Sequence, residues 1–321
     1  MKRLAILVLL VSVVGATTLF ARGARDPDAV HIEVVSKGFL HEFWYNVFIG
    51  SRTAAQELGI TINFVGPECE SMIAEQDDMF EMALARRPSA IAFAALDAVA
   101  QERHVARAAA YGIPVVTFDA TVTPDTHVRS FVATNSLEAG SQAATRMNAA
   151  LGGAGGQVAI IASDMTNTTQ IERRDGFINA VRDRYPNIEI VTVVYGIDPF
   201  VAEAEATTVL NTHPNLVGFY ACNEGTAIGL ANALRNTGRN TGPNRVIGIG
   251  FDSGAVQLAA IRDGTLYGAI QQNPRLIGEM AIRFAYDAYR GRPVPRIFDT
   301  GIVWAYAGNL DSPEVQAVIY Q

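Results

Sequence analysis

Polar, charged and aromatic side chains recur along the chain where short apolar runs end. They include carboxylates, carboxamides, arginine and an aromatic pair: Phe43, Trp44, Asp97, Asp119, Arg173, Asn223, Glu224, Asp252, Gln272 and Asn273. Carboxylates and carboxamides pair with neighbouring hydroxyl groups, and arginine donates several hydrogen bonds from a fixed plane. Aromatic rings cover the apolar C–H faces of a sugar ring. Brought together, these residue types supply the chemistry of a sugar site.

Each of these residues also has an explanation that involves no ligand. Four of them precede helical patterns and could cap helix N termini, namely Asp97, Asp119, Asn223 and Asp252. Phe43 and Trp44 could be core residues of the first helix, and Arg173 could lie on an exposed helix turn. Their joint occurrence favours a binding site, because ligands of open parallel α/β sheets bind beyond the carboxyl ends of the strands.

Two series of buried strands and amphipathic helices position those strand ends. The first series is "HIEVV", "ITINFV", "AIAFAA" and "IPVVTFD"; after "FVATN" the second is "GQVAIIAS", "IEIVTVVYG", "LVGFYACN", "RVIGIGFD" and "LYGAIQQ". Helical patterns separate them at residues 43–58, 72–85, 99–111, 137–151, 171–185, 200–212, 226–235 and 255–262. Alternating β and α units predict parallel sheets. Since one sheet of about ten strands would be unusually wide, we predict an α/β chain with two doubly wound lobes.

The amino terminus predicts export from the cytoplasm. "MKR" is a short basic segment, "LAILVLLVSVVGATTLF" is an apolar run, and "LFA" or "VGA" offers small residues for cleavage. We therefore predict that residues 1–21 are a cleaved signal peptide and that the mature protein is periplasmic. A membrane anchor is the alternative, although the run is barely long enough to span a bilayer. No cysteine precedes Cys69, so the lipid-attached cysteine of a bacterial lipoprotein is absent.

Composition and missing motifs narrow the class of protein. The 321 residues carry a net charge of −7 and no run rich in Lys or Arg, which argues against nucleic-acid binding. The chain has no GxSxG, HExxH or Walker pattern. Cys69 and Cys222 lack metal-site spacing, and we predict buried free thiols rather than a disulfide. We predict a binding protein without cofactor or metal, with a glycosidase that uses Asp119 and Asp252 as the alternative.

Ordered motifs across nearly the whole mature chain resemble one family. From about Val30 to Ala305, "VVS" and "FW" are followed by "IPVVTFD", "ERRDGF", "LNTHPNLVGFYACNEGTAIG", "VIGIGFD" and "GAIQQNPRLIG". Their order and spacing resemble the bacterial periplasmic pentose- and hexose-binding proteins of ABC transporters, with the ribose-binding proteins as the nearest pattern. The resemblance implies a type I periplasmic binding protein with two Rossmann-like lobes. The implied lobes are residues 28–133 plus 274–300 and residues 134–273 plus 301–321.

The same resemblance implies which residues bind the ligand. They come from both lobes: Phe43, Trp44 and Asp119 from the first, and Arg173, Asn223, Phe251, Asp252 and Gln272 from the second. Phe43 and Trp44 occupy the positions of the family's aromatic pair, and Phe251 is expected to stack beside Asp252. The resemblance further implies hinge closure on the ligand and a membrane permease as partner. The implied crossings between the lobes lie near Thr134, Asn273 and Thr300.

Three positions depart from the ribose-binding pattern. Ala120 follows Asp119 where a ribose binder has an arginine, Ala94 stands where a polar residue is expected, and His41 replaces an asparagine. The implied ligand is therefore a monosaccharide or a similar small polyol, and not ribose in particular.

A second resemblance comes from "SKG" before "FW" and from the later "GPE". This order is similar to that of autoinducer-2 and rhamnose-type binding proteins, and Lys37, Asp119 and Gln170 match the autoinducer pattern. The acidic residue expected at Thr169 is missing. We expect Lys37 and His41 to contact the ligand, with an exposed loop position as the alternative for Lys37. Presentation of the ligand to a chemoreceptor or sensor kinase is an alternative to transport.

Overall fold

The strands and helices follow the alternation that the sequence predicts. The computed structural model describes residues 29–320. Its strands are β1 (His31–Val35), β2 (Thr61–Val65), β3 (Ala90–Phe93), β4 (Val115–Phe118), β5 (Val128–Ala133), β6 (Gly156–Ala162), β7 (Ile188–Tyr195), β8 (Leu216–Ala221), β9 (Ile247–Phe251), β10 (Leu266–Gln271), β11 (Ile297–Asp299) and β12 (Val303–Ala305). Its helices are α1 (Glu42–Leu58), α2 (Ile73–Ala85), α3 (Glu102–Ala110), α4 (Ser136–Ala150), α5 (Thr168–Arg184), α6 (Pro199–Thr212), α7 (Glu224–Asn236), α8 (Ala255–Arg262), α9 (Pro274–Tyr289) and α10 (Pro313–Gln316).

These strands form two six-stranded sheets, one in each lobe. The first has the order β11-β5-β4-β3-β1-β2, and every pair in it is parallel. The second has the corresponding order β12-β10-β9-β8-β6-β7, in which β12 is antiparallel to β10 and the other pairs are parallel. The prediction of an α/β fold with two doubly wound lobes is confirmed.

The chain passes between the two sheets three times. It leaves the first sheet after β5, returns after β10 to place α9 against α1, and leaves again between β11 and β12. These passages agree with the three crossings that the family resemblance implies. The proposed division into lobes stays a prediction. At the carboxyl end of the described residues, Ile319 packs in the core of the second lobe and Tyr320 packs in the core of the first.

Helices cover both faces of each sheet, which explains why the strands are apolar throughout. In the first lobe, one core layer lies between the sheet and α1 with α9, and the other lies under α2 and α3. In the second lobe the corresponding layers lie under α6, α7 and α8 and under α4 and α5. The polar residues that follow the strands are thereby brought to one edge of each sheet.

Two pairs of helices approach each other closely at glycines. A Cβ atom added to Gly50 of α1 would overlap the carbonyl oxygen of Arg275 in α9. In the second lobe a Cβ atom added to Gly140 of α4 would overlap the carbonyl oxygen of Arg173 in α5. Close packing at Gly140 therefore fixes the helix backbone that carries Arg173.

Gly50→Ala is expected to destabilise the protein by about 1–3 kcal/mol, because overpacking pushes α1 and α9 apart. Urea denaturation measures the loss. Glu279→Ala, at a half-buried position of α9, is the control and should change stability by no more than about 0.5 kcal/mol. Equal effects of the two substitutions would contradict the close approach of the helices.

The two cysteines differ in their surroundings. Both are free thiols, and Cys222 is buried as predicted. Cys69 is only half-buried, contrary to prediction, because it lies in the surface loop between β2 and α2, where its Sγ contacts the Ser71 hydroxyl at 3.0 Å. Among residues 29–320, no helix has the length and apolar character needed to cross a membrane. The signal peptide predicted for residues 1–21 lies outside the described residues.

Candidate ligand-binding cleft

A small cavity of about 20 Å³ lies between the lobes, where strands of both sheets end. Six of its lining residues come from the first lobe and seven from the second: Lys37, His41, Phe43, Trp44, Glu70 and Asp119, then Thr169, Gln170, Arg173, Asn223, Glu224, Asp252 and Gln272. Nine of the ten residues predicted to bind ligand are among them, and Phe251 is not. The strand-end residues therefore form one site shared by two lobes.

A cluster of charges forms the wall of the first lobe. The Lys37 ammonium lies 2.8 Å from Asp119 Oδ2 and 3.7 Å from Glu70 Oε2. The indole N–H of Trp44 donates to Glu70 Oε1 at 2.9 Å. Glu70 thus joins the ammonium group to the aromatic wall. Lys37 is only 3% exposed, so the alternative of an exposed loop lysine is wrong.

Both Lys37 and Glu70 stay charged in this wall. Burial by itself would lower the pKa of Lys37, but the neighbouring carboxylates of Asp119 and Glu70 outweigh it and raise that pKa above its usual value. Burial would raise the pKa of Glu70, but Lys37 and His41 hold it below its usual value. A fixed cation beside fixed carboxylates offers both donors and acceptors to ligand hydroxyl groups.

Arg173 of α5 lines the cavity from the second lobe. Its guanidinium lies 3.8 Å from the Phe251 ring centroid, and Nη1 donates to the Cys222 carbonyl at 3.0 Å. Within residues 29–320 its Nε and Nη2 have no hydrogen-bond partner, although Arg173 is only 2% exposed. The exposed helix turn considered for Arg173 is therefore wrong. Two buried donors at the cavity are suited to acceptor atoms on a ligand.

Phe251 does not reach the cavity, which corrects the expectation that it stacks on the ligand. It is fully buried in the core of the second lobe and is the last residue of β9. Phe251 ends β9 and packs in the core, whereas Asp252 lies beyond the strand, has a φ of +72° and lines the cleft. The Phe251 ring instead supports the guanidinium of Arg173.

Asp252 is held by two donors from its own lobe. Gln272 Nε2 donates to Oδ1 at 2.8 Å, and the backbone N–H of Glu224 donates to Oδ2 at 3.1 Å. Burial raises the pKa of Asp252 above its usual value, and the opposing effects of Arg173 and Gln272 do not cancel the rise. The carboxylate is therefore pre-positioned, and it gains from any further hydrogen bond that a ligand donates.

The four strand-end residues that could have been helix caps differ in the contacts they make. Asn223 caps α7 by accepting from the Thr226 N–H, and it also lines the cavity. Asp97 accepts from two backbone N–H groups of the following turn and does not line the cavity. Asp119 and Asp252 are not the N-cap residue of any helix within residues 29–320, although Asp252 accepts from the N–H of Glu224 at the start of α7. Their φ angles are +58° and +72°. Left-handed backbone at non-glycine residues is concentrated at functional sites.

Phe43 and Trp44 are core residues and cavity residues at once. Both are buried in the core of the first lobe, and their rings meet edge to face with centroids 4.9 Å apart. Both also line the cavity from the first turn of α1. Phe43 and Trp44 can therefore serve the core of the first lobe and also face a ligand in the cavity.

Four cavity residues lie outside the ten that are predicted to bind ligand, namely Glu70, Thr169, Gln170 and Glu224. Glu70 is in the loop after β2, and Thr169 and Gln170 are in the first turn of α5. Glu224 directly follows Asn223, but no feature of the sequence distinguishes it from an ordinary glutamate at a helix N terminus. Within residues 29–320, no group of three His, Cys, Asp or Glu side chains could hold a metal ion.

Two doubly wound lobes with a polar cleft between them define a two-lobed ligand-binding protein. The chain belongs to the periplasmic binding protein domain family, whose model matches residues 32–293. The membership that the sequence motifs imply is confirmed. A D-allose-binding periplasmic protein of Escherichia coli is 29% identical over 274 residues, which cover 83% of this chain and 87% of that protein.

Solved structures of similar proteins share the fold over nearly their whole length. An ABC transporter solute-binding protein of Agrobacterium vitis with bound D-fucose is 30% identical, with a TM-score of 0.86 over 90% of this chain and 100% of that one. A carbohydrate transporter solute-binding protein of Agrobacterium radiobacter in complex with D-arabinose is 26% identical, with a TM-score of 0.87 over 92% of this chain and 100% of that one.

Proposed function

We propose that this protein captures a monosaccharide or a similar small polyol between its lobes and delivers it to the membrane permease of an ABC transporter. The composition of the cleft carries the proposal: Asp119 and Asp252 line it from different lobes, and Arg173 adds unpaired donors. Phe43 and Trp44 supply apolar ring faces. The similar proteins described above, named for D-allose or solved with D-fucose or D-arabinose, support a sugar as ligand.

Capture proceeds by closure of the lobes. The ligand meets acceptors of the first lobe and donors of the second together only when the cleft is closed, so it stabilises the closed form. Export by the predicted signal peptide, residues 1–21, places this event in the periplasm. The closed form is the state that a permease recognises, or alternatively a chemoreceptor or sensor kinase. Uptake of labelled sugar by cells with and without the neighbouring permease genes separates these roles.

Binding without turnover is part of this proposal. Asp119 is engaged by Lys37, and Asp252 is held by Gln272 and the Glu224 N–H, so both carboxylates are arranged as fixed acceptors. Nitrophenyl glycosides should be left intact by the purified protein. Release of nitrophenol would favour the glycosidase alternative.

Three residues that line the cavity favour autoinducer-2 as a second candidate ligand. Lys37, Asp119 and Gln170, which match the pattern of autoinducer-2 binding proteins, all line the cavity. The sugar remains favoured, because Asn223 and Asp252 add polar contacts suited to further hydroxyl groups.

A thermal-shift screen tests the proposed ligand class. At about 100 times its dissociation constant, a bound sugar stabilises the folded protein by about 2.7 kcal/mol, which raises the melting temperature by roughly 5–10 °C for lobes of this size. The panel is D-allose, D-fucose, D-arabinose, D-ribose, xylitol and autoinducer-2. If none of these shifts the melting temperature at millimolar concentration, the proposed ligand class is wrong, and a shift with autoinducer-2 alone would establish the second candidate.

A further inference from the structure

Two glutamates make matching contacts across the cleft. Glu224, the first residue of α7, accepts from the backbone N–H groups of Glu42 at 3.1 Å and Phe43 at 3.3 Å, which begin α1 in the other lobe. Glu42 in turn accepts from the backbone N–H of Ala255 at 3.3 Å, which begins α8 in the lobe of Glu224. Each lobe therefore places a carboxylate on a helix N terminus of the other.

Neither helix has a side-chain cap from its own lobe. α1 follows His41 and α8 follows Gly254, and neither residue makes a side-chain cap hydrogen bond. The side chain of the preceding residue does cap six other helices, through Asn135, Asn167, Asp198, Asn223, Asn273 and Ser312. The first N–H groups of a helix need acceptors, and a carboxyl oxygen accepts in both the charged and the protonated form. At α1 and α8 that carboxyl group comes from across the cleft and is in place only when the lobes are closed.

We propose that Glu224 and Glu42 form a reciprocal latch that stabilises the closed lobes even without sugar. The latch rests on the hinge closure of the proposed function but not on the identity of the ligand. Glu224 carries most of it, because Glu224 is buried whereas Glu42 is exposed and its contact is open to water.

The surroundings of Glu224 make the latch sensitive to pH. The charged and titratable groups near it are Asp252 on the strand side, Glu42 and His41 at the start of α1, Arg173 on the same wall of the cavity, and Tyr320, whose hydroxyl lies 3.4 Å from Oε2. Burial, followed by the negative charge of Asp252, raises the pKa of Glu224 to about 8. The N–H groups of Glu42 and Phe43 oppose this rise without cancelling it.

The direction of the pH dependence follows from this shift. When the lobes separate, water reaches Glu224 and its pKa falls toward the ordinary glutamate value of about 4.3. The contribution of Glu224 to closure is therefore fully present below that value. It is lost progressively as pH rises and is gone above about 8. Between these limits one such group changes the closed-to-open ratio by up to about tenfold per pH unit.

Amide exchange with water, measured by NMR on the sugar-free protein, tests the latch directly. Within residues 29–320 the amides of Glu42 and Phe43 have Glu224 as their hydrogen-bond acceptor. We expect these amides to be more protected at pH 6 than at pH 8, after division by the intrinsic exchange rate at each pH. Glu224→Ala should abolish the protection. Glu224→Gln, which mimics the protonated form, should retain it without the pH dependence.

Two controls accompany this measurement. Glu75→Gln changes a glutamate in the first turn of α2 that is not among the residues lining the cleft, and it should leave the exchange at Phe43 unchanged. Thermal melting confirms that each variant is folded. Equal exchange of Phe43 in wild type and Glu224→Ala, or equal protection of the wild type at both pH values, would overturn the proposal. Failure of every panel sugar to bind would overturn the proposed ligand and leave this result standing.

Discussion

Asp119→Asn is expected to weaken monosaccharide binding by about tenfold to more than a hundredfold. A hydrogen bond to a charged group contributes about 1.5–3 kcal/mol, which corresponds to that range of affinity. The substitution also leaves the buried Lys37 ammonium with Glu70, at 3.7 Å, as its remaining ion-pair partner. Asparagine keeps the size of the side chain and tolerates the φ of +58° at this position. The fold should therefore survive, and titration calorimetry with the best sugar of the screen measures the loss.

Asp97→Asn is the matched control for this prediction. Asp97 lies in the loop after β3, where its carboxylate accepts from the N–H groups of Val99 and Ala100, and it does not line the cavity. We expect the substitution to leave affinity intact and to change stability little, because asparagine caps a turn about as well as aspartate. Intact affinity in Asp119→Asn as well would remove Asp119 from the site.

Arg173→Lys is expected to reduce affinity by about a hundredfold. Lysine keeps the positive charge beside Asp252, but it lacks the planar fork whose Nε and Nη2 are unpaired at the cavity. It also loses the stacking on Phe251, which lies 3.8 Å from the guanidinium. Two lost hydrogen bonds from a charged donor, at about 1.5–3 kcal/mol each and partly replaced by the ammonium group, give this magnitude.

Arg174→Lys is the control on the same helix. Arg174 pairs with Asp175 and donates to the Tyr195 hydroxyl, away from the cavity. Its substitution should leave affinity within about twofold, since surface substitutions change free energies by no more than about 0.5 kcal/mol. Arg173→Lys with unchanged affinity would show that the unpaired donors do not meet the ligand.

The fold could be predicted from sequence where apolar runs and helix stop signals are strong, and less well at short or capped elements. The helical pattern from Val99 begins as a helix only at Glu102, because the Asp97 carboxylate caps a separate turn before it. β11 and β12 were not predicted, since three-residue edge strands carry no periodicity. α9 was also absent from the predicted helices, although Asn273 and Pro274 form a cap and first-turn signal that marks its start.

The site could be predicted to the extent that strand ends define it. Asp119, Asp252 and Gln272 each follow a strand directly, Asn223 follows β8 after Cys222, and all four line the cavity. Phe251 was assigned wrongly because the resemblance gave its neighbourhood but not the side of β9 on which it lies. Contacts across the cleft, such as that of Glu224 with α1, depend on how two lobes meet, which no local pattern records.

Small-angle X-ray scattering tests the central claim that a sugar is held between two closing lobes. The purified protein is measured above pH 8, where Glu224 no longer favours closure of the sugar-free lobes, with and without the panel sugar that raises the melting temperature most, at a concentration that calorimetry shows to be saturating. We predict a smaller radius of gyration with the sugar, and no such change for Asp119→Asn at the same sugar concentration. A saturated wild-type protein with unchanged scattering would contradict the account, because the sugar would then be bound without closure of the cleft.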